Sequence, residues 1–220
     1  MATVDPSQKP KVKQRQIRAS YNEETITVYQ AYNSEIASVA VHNQKLCASP
    51  QFRLTRMTWI KPSWCWMMYR AGYSYKDKNQ ERILALKMKH EDFIGLLRTA
   101  TLTTEHGKGA AQGDTTEASK PTGEKSSSVK VQWDPERTPR LEKLNYRSIQ
   151  IGIPSLVAGA WVDKWIVSIE DVTEKARALE RELRENPGTT DEELQRKGLV
   201  PLEREFPVPL DVQQALRMEV

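Results

Sequence analysis

The chain reads as one α+β domain, a mixed or antiparallel sheet with flanking helices. Three observations predict it. Apolar residues alternate at strand spacing in several short stretches. Amphipathic helical stretches fall between these without regular strand–helix–strand alternation. The 220 residues, 38% hydrophobic and 28% charged, are enough to enclose one core.

The elements follow in order. Residues 1–14 are polar and basic and read as a flexible tail. Thr25 to Tyr32 reads as a strand, with Ile26 and Val28 on one face and Thr27, Tyr29 and Ala31 on the other. Asn33 or Ser34 caps a helix through Ile36, Ala37, Val39 and Ala40. Arg56 to Ile60 reads as a strand. Pro62 suits the first position of the next helix and Gly72 its end. On that helix Trp64 meets Met67 and Met68, and Trp66 meets Arg70 one turn on. Ile83 to Met88 is a strand and Glu91 to Ala100 a helix, with Phe93, Ile94, Leu96 and Leu97 inward.

Residues 103–128 lack aromatic and large aliphatic residues, so they read as a disordered insertion within the domain. The strand before them and Val129 to Trp133 after them are expected in one sheet. Ser148 to Ile153 is a strand ending at Pro154, followed by a short helix through Leu156, Val157, Ala160 and Trp161. Trp165 to Ile169 is a last strong strand. Asp171 and Glu174 have capping-box spacing and open a charged helix, and Thr190 and Glu193 repeat that spacing. Pro201 to Pro209 is extended, with a helical turn from Asp211. The expected organisation is a domain over residues 15–185 and a C-terminal extension over 186–220.

Composition narrows the function. No apolar run approaches the roughly 18 residues of a membrane span, and the N-terminus lacks the apolar core of a signal peptide. An intracellular protein, cytoplasmic or nuclear, with no membrane partner is expected. Two cysteines, Cys47 and Cys65, do not make a disulfide framework, and three scattered histidines do not suggest zinc. No metal is expected. The net charge of +4 is compatible with an anionic partner without requiring one.

Phosphate-loop, dinucleotide-fingerprint, nucleophile-elbow and HExxH motifs are all absent. Three islands rich in Arg, Tyr, Trp and Gln remain. The first holds Arg15 to Arg18 and Tyr29 to Tyr32, where an arginine and an amide can hold a phosphate or a nicotinamide amide. The second, Arg56 to Gly72, sets Lys61, Ser63, Tyr69 and Arg70 beside Trp59 or Trp66, cations against aromatic walls. The third joins Trp133 to Arg137 with Tyr146 to Gln150. There Asp134 or Glu136 can serve as a general base, and Gln150 faces away from Ile149 and Ile151, toward solvent or ligand. Each island also has a plain reading: an edge strand, a packed core, a capped turn.

These islands resemble an uncharacterised family, domain of unknown function 4291, from Arg15 to Thr173. Residues 103–128 and the tail after Arg184 lie outside that resemblance. The name implies no activity. In arrangement, Tyr29 to Tyr32 and the helix after it also resemble the first unit of ADP-ribosyltransferase-like domains. That resemblance implies an NAD cofactor anchored by Gln30, with Ser63 or Tyr69 as the nicotinamide wall. Gln150 would stand where an acid usually stands. Gln30 and Gln150 depart from the usual His or Arg and from the usual Glu; Arg18 or Arg147 would then hold the pyrophosphate and Glu136 supply the charge. The expectation is a nucleotide- or NAD-binding enzyme with catalytic Gln150, Glu136 and Tyr69. Its cofactor set is Arg18, Tyr29, Gln30, Lys61, Ser63, Trp66, Arg70 and Arg147. Two alternatives stand beside it. One is a nucleic-acid-binding module using Lys9, Lys11, Lys13, Arg15 and Arg18 with exposed aromatics. The other is a non-catalytic protein that docks a partner on the helix from Thr173 to Glu185.

Overall fold

The computed structural model describes residues 13–103 and 128–218. In chain order it contains β1 (Arg18–Ala19), β2 (Thr25–Tyr32), α1 (Ser34–Asn43), β3 (Thr58–Ile60), α2 (Trp64–Ala71), β4 (Arg82–Lys89), α3 (His90–Arg98) and β5 (Ala100–Leu102). Then follow β6 (Val129–Arg137), β7 (Lys143–Ile153), α4 (Ser155–Ala160), β8 (Ile166–Asp171), α5 (Thr173–Glu185), α6 (Asp191–Arg196), β9 (Arg204–Glu205) and α7 (Leu210–Ala215). The α+β class is as expected. The expected flexible tail and disordered insertion fall, over residues 1–12 and 104–127, outside the described residues.

Two sheets carry the domain. One is antiparallel with order β2-β4-β8; the other has order β3-β7-β6-β5, antiparallel except for the parallel β5–β6 pair. A small β1–β9 pair ties the N-terminal segment to the C-terminal one. The two main sheets meet at one point. The Tyr29 N–H donates to the Lys61 carbonyl at 2.7 Å, and the Lys61 N–H to the Tyr29 carbonyl at 3.1 Å.

Strand alternation sends side chains into two cores. Ile26 and Val28 on one face of β2 join Ile60, Ile149, Ile151, Ile153, Phe93 and Leu97 in the larger core. Tyr29 and Ala31 on the other face join Trp64, Met67, Met68, Ala176 and Leu179 in the smaller one. α5 therefore packs on its own domain through Ala176 and Leu179, the stripe that a docked partner would have used. Among the described residues no helix is long and apolar enough to cross a membrane.

Several local expectations need correction. Ser63, not Pro62, opens α2: its hydroxyl accepts the Trp66 N–H at 3.1 Å and caps the helix. Trp66 stacks on Tyr69 rather than on Arg70. The Asp171–Glu174 box does not form, because the Asp171 carboxylate accepts the Thr173 N–H and pairs with Arg82. The Thr190–Glu193 box does form. Ile83 to Met88 and Val129 to Trp133 lie in different sheets; the short β5, absent from the sequence reading, makes the link to β6. The residues set apart as an extension bury Phe206, Val208, Val212 and Leu216 in the larger core.

Candidate functional site

The pairings of β3, β6 and β7 place one set of side chains on the face away from the larger core. Ile60, Val131, Ile149 and Ile151 point into that core. Their neighbours Trp59, Lys61, Gln132, Asp134, Ser148 and Gln150 take the opposite face, since strand side chains alternate. Trp59 lies across from Gly152, Gln132 from Gln150 and Asp134 from Ser148. A β-carbon on Gly152 would stand 3.0 Å from both the Met57 sulfur and the Trp59 ring, so glycine lets the indole lie against β7.

Lys61 is only 3% exposed, and its ammonium donates to the Trp59 carbonyl at 3.0 Å. Burial, and then Arg70, lower it from the usual lysine range to about 7; Asp134 pulls the other way. Asp134 accepts from Gln132 Nε2 at 2.9 Å and from Gln150 Nε2 at 2.7 Å. Burial raises its carboxyl above the usual range against the pull of those amides, Lys61 and Arg147. Arg70, in the last turn of α2, acts through its charge on Lys61 and on the exposed Asp77, whose carboxyl it helps to lower after the hydrogen bonds from Asn79 and Gln80.

A second polar knot sits at the start of α2. Ser63 is fully buried and donates to Glu136 at 2.9 Å. Glu136 also accepts the Arg137 N–H at 2.8 Å, next to the irregularity that Pro135 introduces into β6. Burial raises the Glu136 carboxyl, opposed by the bonds from Arg137, Ser63 and Ser148 and by Arg18. Glu203 accepts the Trp64 N–H at 2.6 Å. Burial and then Glu136 push its carboxyl up to about 8. The Arg18 guanidinium donates to the Glu203 carbonyl at 2.7 Å. Ser63 and Glu203 thus take the otherwise unpaired Trp66 and Trp64 N–H groups of the first turn of α2, and Glu136 holds the Ser63 hydroxyl.

The expected residues divide accordingly. Lys61 feels both Arg70 and Asp134, and Asp134 is held by Gln150. Arg18, Ser63 and Glu136 form the adjoining knot, where Ser63 is spent on the cap and is not open to form a ligand wall. Trp66 and Tyr69 stack on each other at 5.0 Å, and the Arg137 guanidinium lies 3.8 Å from the Tyr69 ring centre, so these rings already have partners. Tyr29 is buried edge-on against Trp64 at 5.2 Å. Gln30 lies on the other face of β2 from Tyr29, in line with Val28 and Tyr32. Arg147 lies on the other face of β7 from Gln150 and donates to the Trp133 carbonyl at 3.0 Å. One cleft holding all of them is therefore not formed.

Two members escaped the sequence reading. Gln132 alternates with Val131 and Trp133 as Gln150 does with its isoleucines, so the same rule could have found it. Glu203, in an extended C-terminal stretch, gave no such signal. Among the described residues no group of three or more His, Cys, Asp or Glu is placed to hold a metal ion.

A family model described as domain of unknown function (DUF4291) matches residues 16–206. The match runs past Thr173, where the resemblance read from the sequence stops, and takes in Glu203. No curated protein matches the sequence.

Proposed function

We propose the following for this chain, which belongs to the DUF4291 family: it binds a flat, phosphate-bearing ligand of nucleotide or NAD type over the polar face of β3, β7 and β6. The observation that carries this reading is the pairing of Lys61 with Arg70. The Arg70 charge opposes that of the buried Lys61, and Asp134 beside Lys61 and the exposed Asp77 beside Arg70 offset the two cations only in part, so the pair attracts an anion. A phosphate meets that need, since a guanidinium fork and an ammonium both match its oxygens. Trp59 supports the ring, because Trp66 and Tyr69 are already stacked. Gln132, Gln150 and Asp134 supply amide and carboxylate groups for hydroxyls.

The transferase reading fits the same place. The acid that an ADP-ribosyltransferase-like arrangement would have at Gln150 is supplied by Asp134, 2.7 Å away across the ladder. Asp134 would there balance the positive charge that develops on the sugar as a glycosidic bond breaks. Lys130 extends the cationic edge of this face, opposite Gly152, and favours a second reading, a single nucleic-acid strand stacked on Trp59.

Calorimetry with NAD, ADP-ribose, ATP and a short RNA strand tests these readings. A phosphate beside Lys61 restores its proton, so binding near pH 7.5 takes up protons, and the observed heat depends on buffer ionisation enthalpy. Arg70→Ala is expected to weaken binding about tenfold or more, the loss of one charge-assisted contact of about 1.5–3 kcal/mol. Asp134→Asn is expected to abolish nicotinamide release while leaving NAD bound. Binding of RNA alone would select the second reading. Binding of none of the four, or binding indifferent to both Lys61→Met and Arg70→Ala, would sink the site.

A further inference from the structure

Strand register arranges the polar face in rows. Trp59 is level with Gly152, and Gly152 with Lys130. Lys61, one step past the Ile60–Ile151 pair, comes level with Gln150, which stands opposite Gln132. Ser148 and Asp134 make the next row. Side chains directly opposite on an antiparallel pair stand about 5 Å apart. Gln132 and Gln150 are both half-buried, so part of each reaches solvent.

Asp134 sets how these two amides point. One of its carboxylate oxygens accepts Gln132 Nε2 at 2.9 Å, and the other accepts Gln150 Nε2 at 2.7 Å. A carboxylate has no proton to give, so each amide turns its nitrogen toward Asp134 and its oxygen away. Among the described residues no donor reaches either Oε1. The two glutamines thus present a neighbouring pair of carbonyl acceptors, and each keeps one N–H free.

A ribose cis-diol matches this pair, with two hydroxyls on adjacent carbons. Each hydroxyl donates to one carbonyl and can accept the remaining N–H, which an amino group cannot do. A 2′-deoxyribose leaves one carbonyl facing the bound sugar without a donor, and an unmatched acceptor costs more than the bond itself. Trp59 and Lys61, both within one row of Gln150, lie where a base and a phosphate flank that sugar.

We infer that Gln132 and Gln150 read the 2′- and 3′-hydroxyls of a ribose, with Asp134 as the positioning residue for both amides. The site then takes ribonucleotides in preference to 2′-deoxyribonucleotides. This rests on the nucleotide reading of the same face and adds the sugar to it.

Calorimetric titration of the full chain with ATP, 2′-deoxy-ATP and 2′,3′-dideoxy-ATP provides the test, since the three share base and phosphates. ATP should bind about tenfold tighter than 2′-deoxy-ATP, the loss of one hydrogen bond with its acceptor left bare. The dideoxy compound should bind more weakly again. In the double variant Gln132→Leu, Gln150→Leu the three affinities should converge on that of the dideoxy compound. Arg70→Ala should weaken all three alike, because it meets the phosphate. Equal binding of ATP and 2′-deoxy-ATP, both weakened by Arg70→Ala, would overturn the inference and leave the phosphate site standing. A preference for ATP that survives in the double variant would overturn it too, since another group would then read the sugar. Binding of none of the three would also overturn it, and would count against the nucleotide reading beneath it.

Discussion

Lys61 and Glu203 are displaced from their ordinary ranges in the direction that burial dictates, toward the neutral form of each. Glu203 faces Glu136, Arg18 and Lys175; Lys61 faces Arg70 and Asp134. Unfolded Glu203 loses its proton near 4.5 and folded Glu203 near 8. Between those values the folded chain holds the extra proton, so its stability falls as pH rises through that window. For Lys61 the unfolded chain holds the extra proton between about 7 and 10.5, so stability rises with pH there. Urea unfolding across pH should therefore show stability falling from about 4.5 to 7 and climbing from about 8 to 9, above which the buried Cys65 thiol, pushed up from its usual 9, opposes the rise. Glu203→Gln should flatten the first limb and Lys61→Met the second. Limbs that persist in these variants would assign the titrations to other groups.

At the scale of elements, α2 depends on side chains from three separate stretches. Ser63 caps it, Glu203 takes the Trp64 N–H, and Glu136 holds the Ser63 hydroxyl. Ser63→Ala removes the cap and also leaves Glu136 short of a donor in a buried place. It should cost about 1–2 kcal/mol, the range of a lost N-cap, read as a shift in the urea midpoint with unchanged slope. A change below about 0.5 kcal/mol would mean that the first turn is held by Glu203 alone. The edge of β8 is guarded in a comparable way. Gln44, left-handed at the end of α1, accepts the Ile169 N–H at 2.8 Å and donates to the Ile169 carbonyl at 2.9 Å. One amide thus covers backbone groups that a neighbouring strand would otherwise seek.

For the whole molecule, the C-terminal segment is part of the domain. The Phe206 N–H donates to the Ile17 carbonyl at 2.7 Å, and its ring meets Tyr21, His90 and Phe93 edge-on. Phe206→Ala should cost about 3–5 kcal/mol, the range for a fully buried aromatic. A much smaller loss in equilibrium unfolding would show that this segment only rests on the core. The same wrapping delivers Glu203 to α2, so that contact requires the segment to be folded in place.

What sequence alone determined here are the elements whose signals are local. Ile26 and Val28 against Tyr29 and Ala31, the cap at Thr190, and Gln150 set between isoleucines all follow from the periodicity of a single segment. The sequence left Trp64, Met67 and Met68 open between a pocket wall and a packed core, and the structure buries all three in the smaller core. Tertiary structure decided which segments meet. Gln30 and Arg147 sit in motifs as conspicuous as that of Lys61, yet strand pairing turns each to the opposite face of its strand. Asp134 gained its central place only through the register that sets β6 against β7. Glu203, which carries no local signal, became a partner of distant groups because the chain end folds back. Such placements depend on contacts between residues far apart in sequence, and those are fixed by burial across the whole fold rather than by the composition of any one stretch.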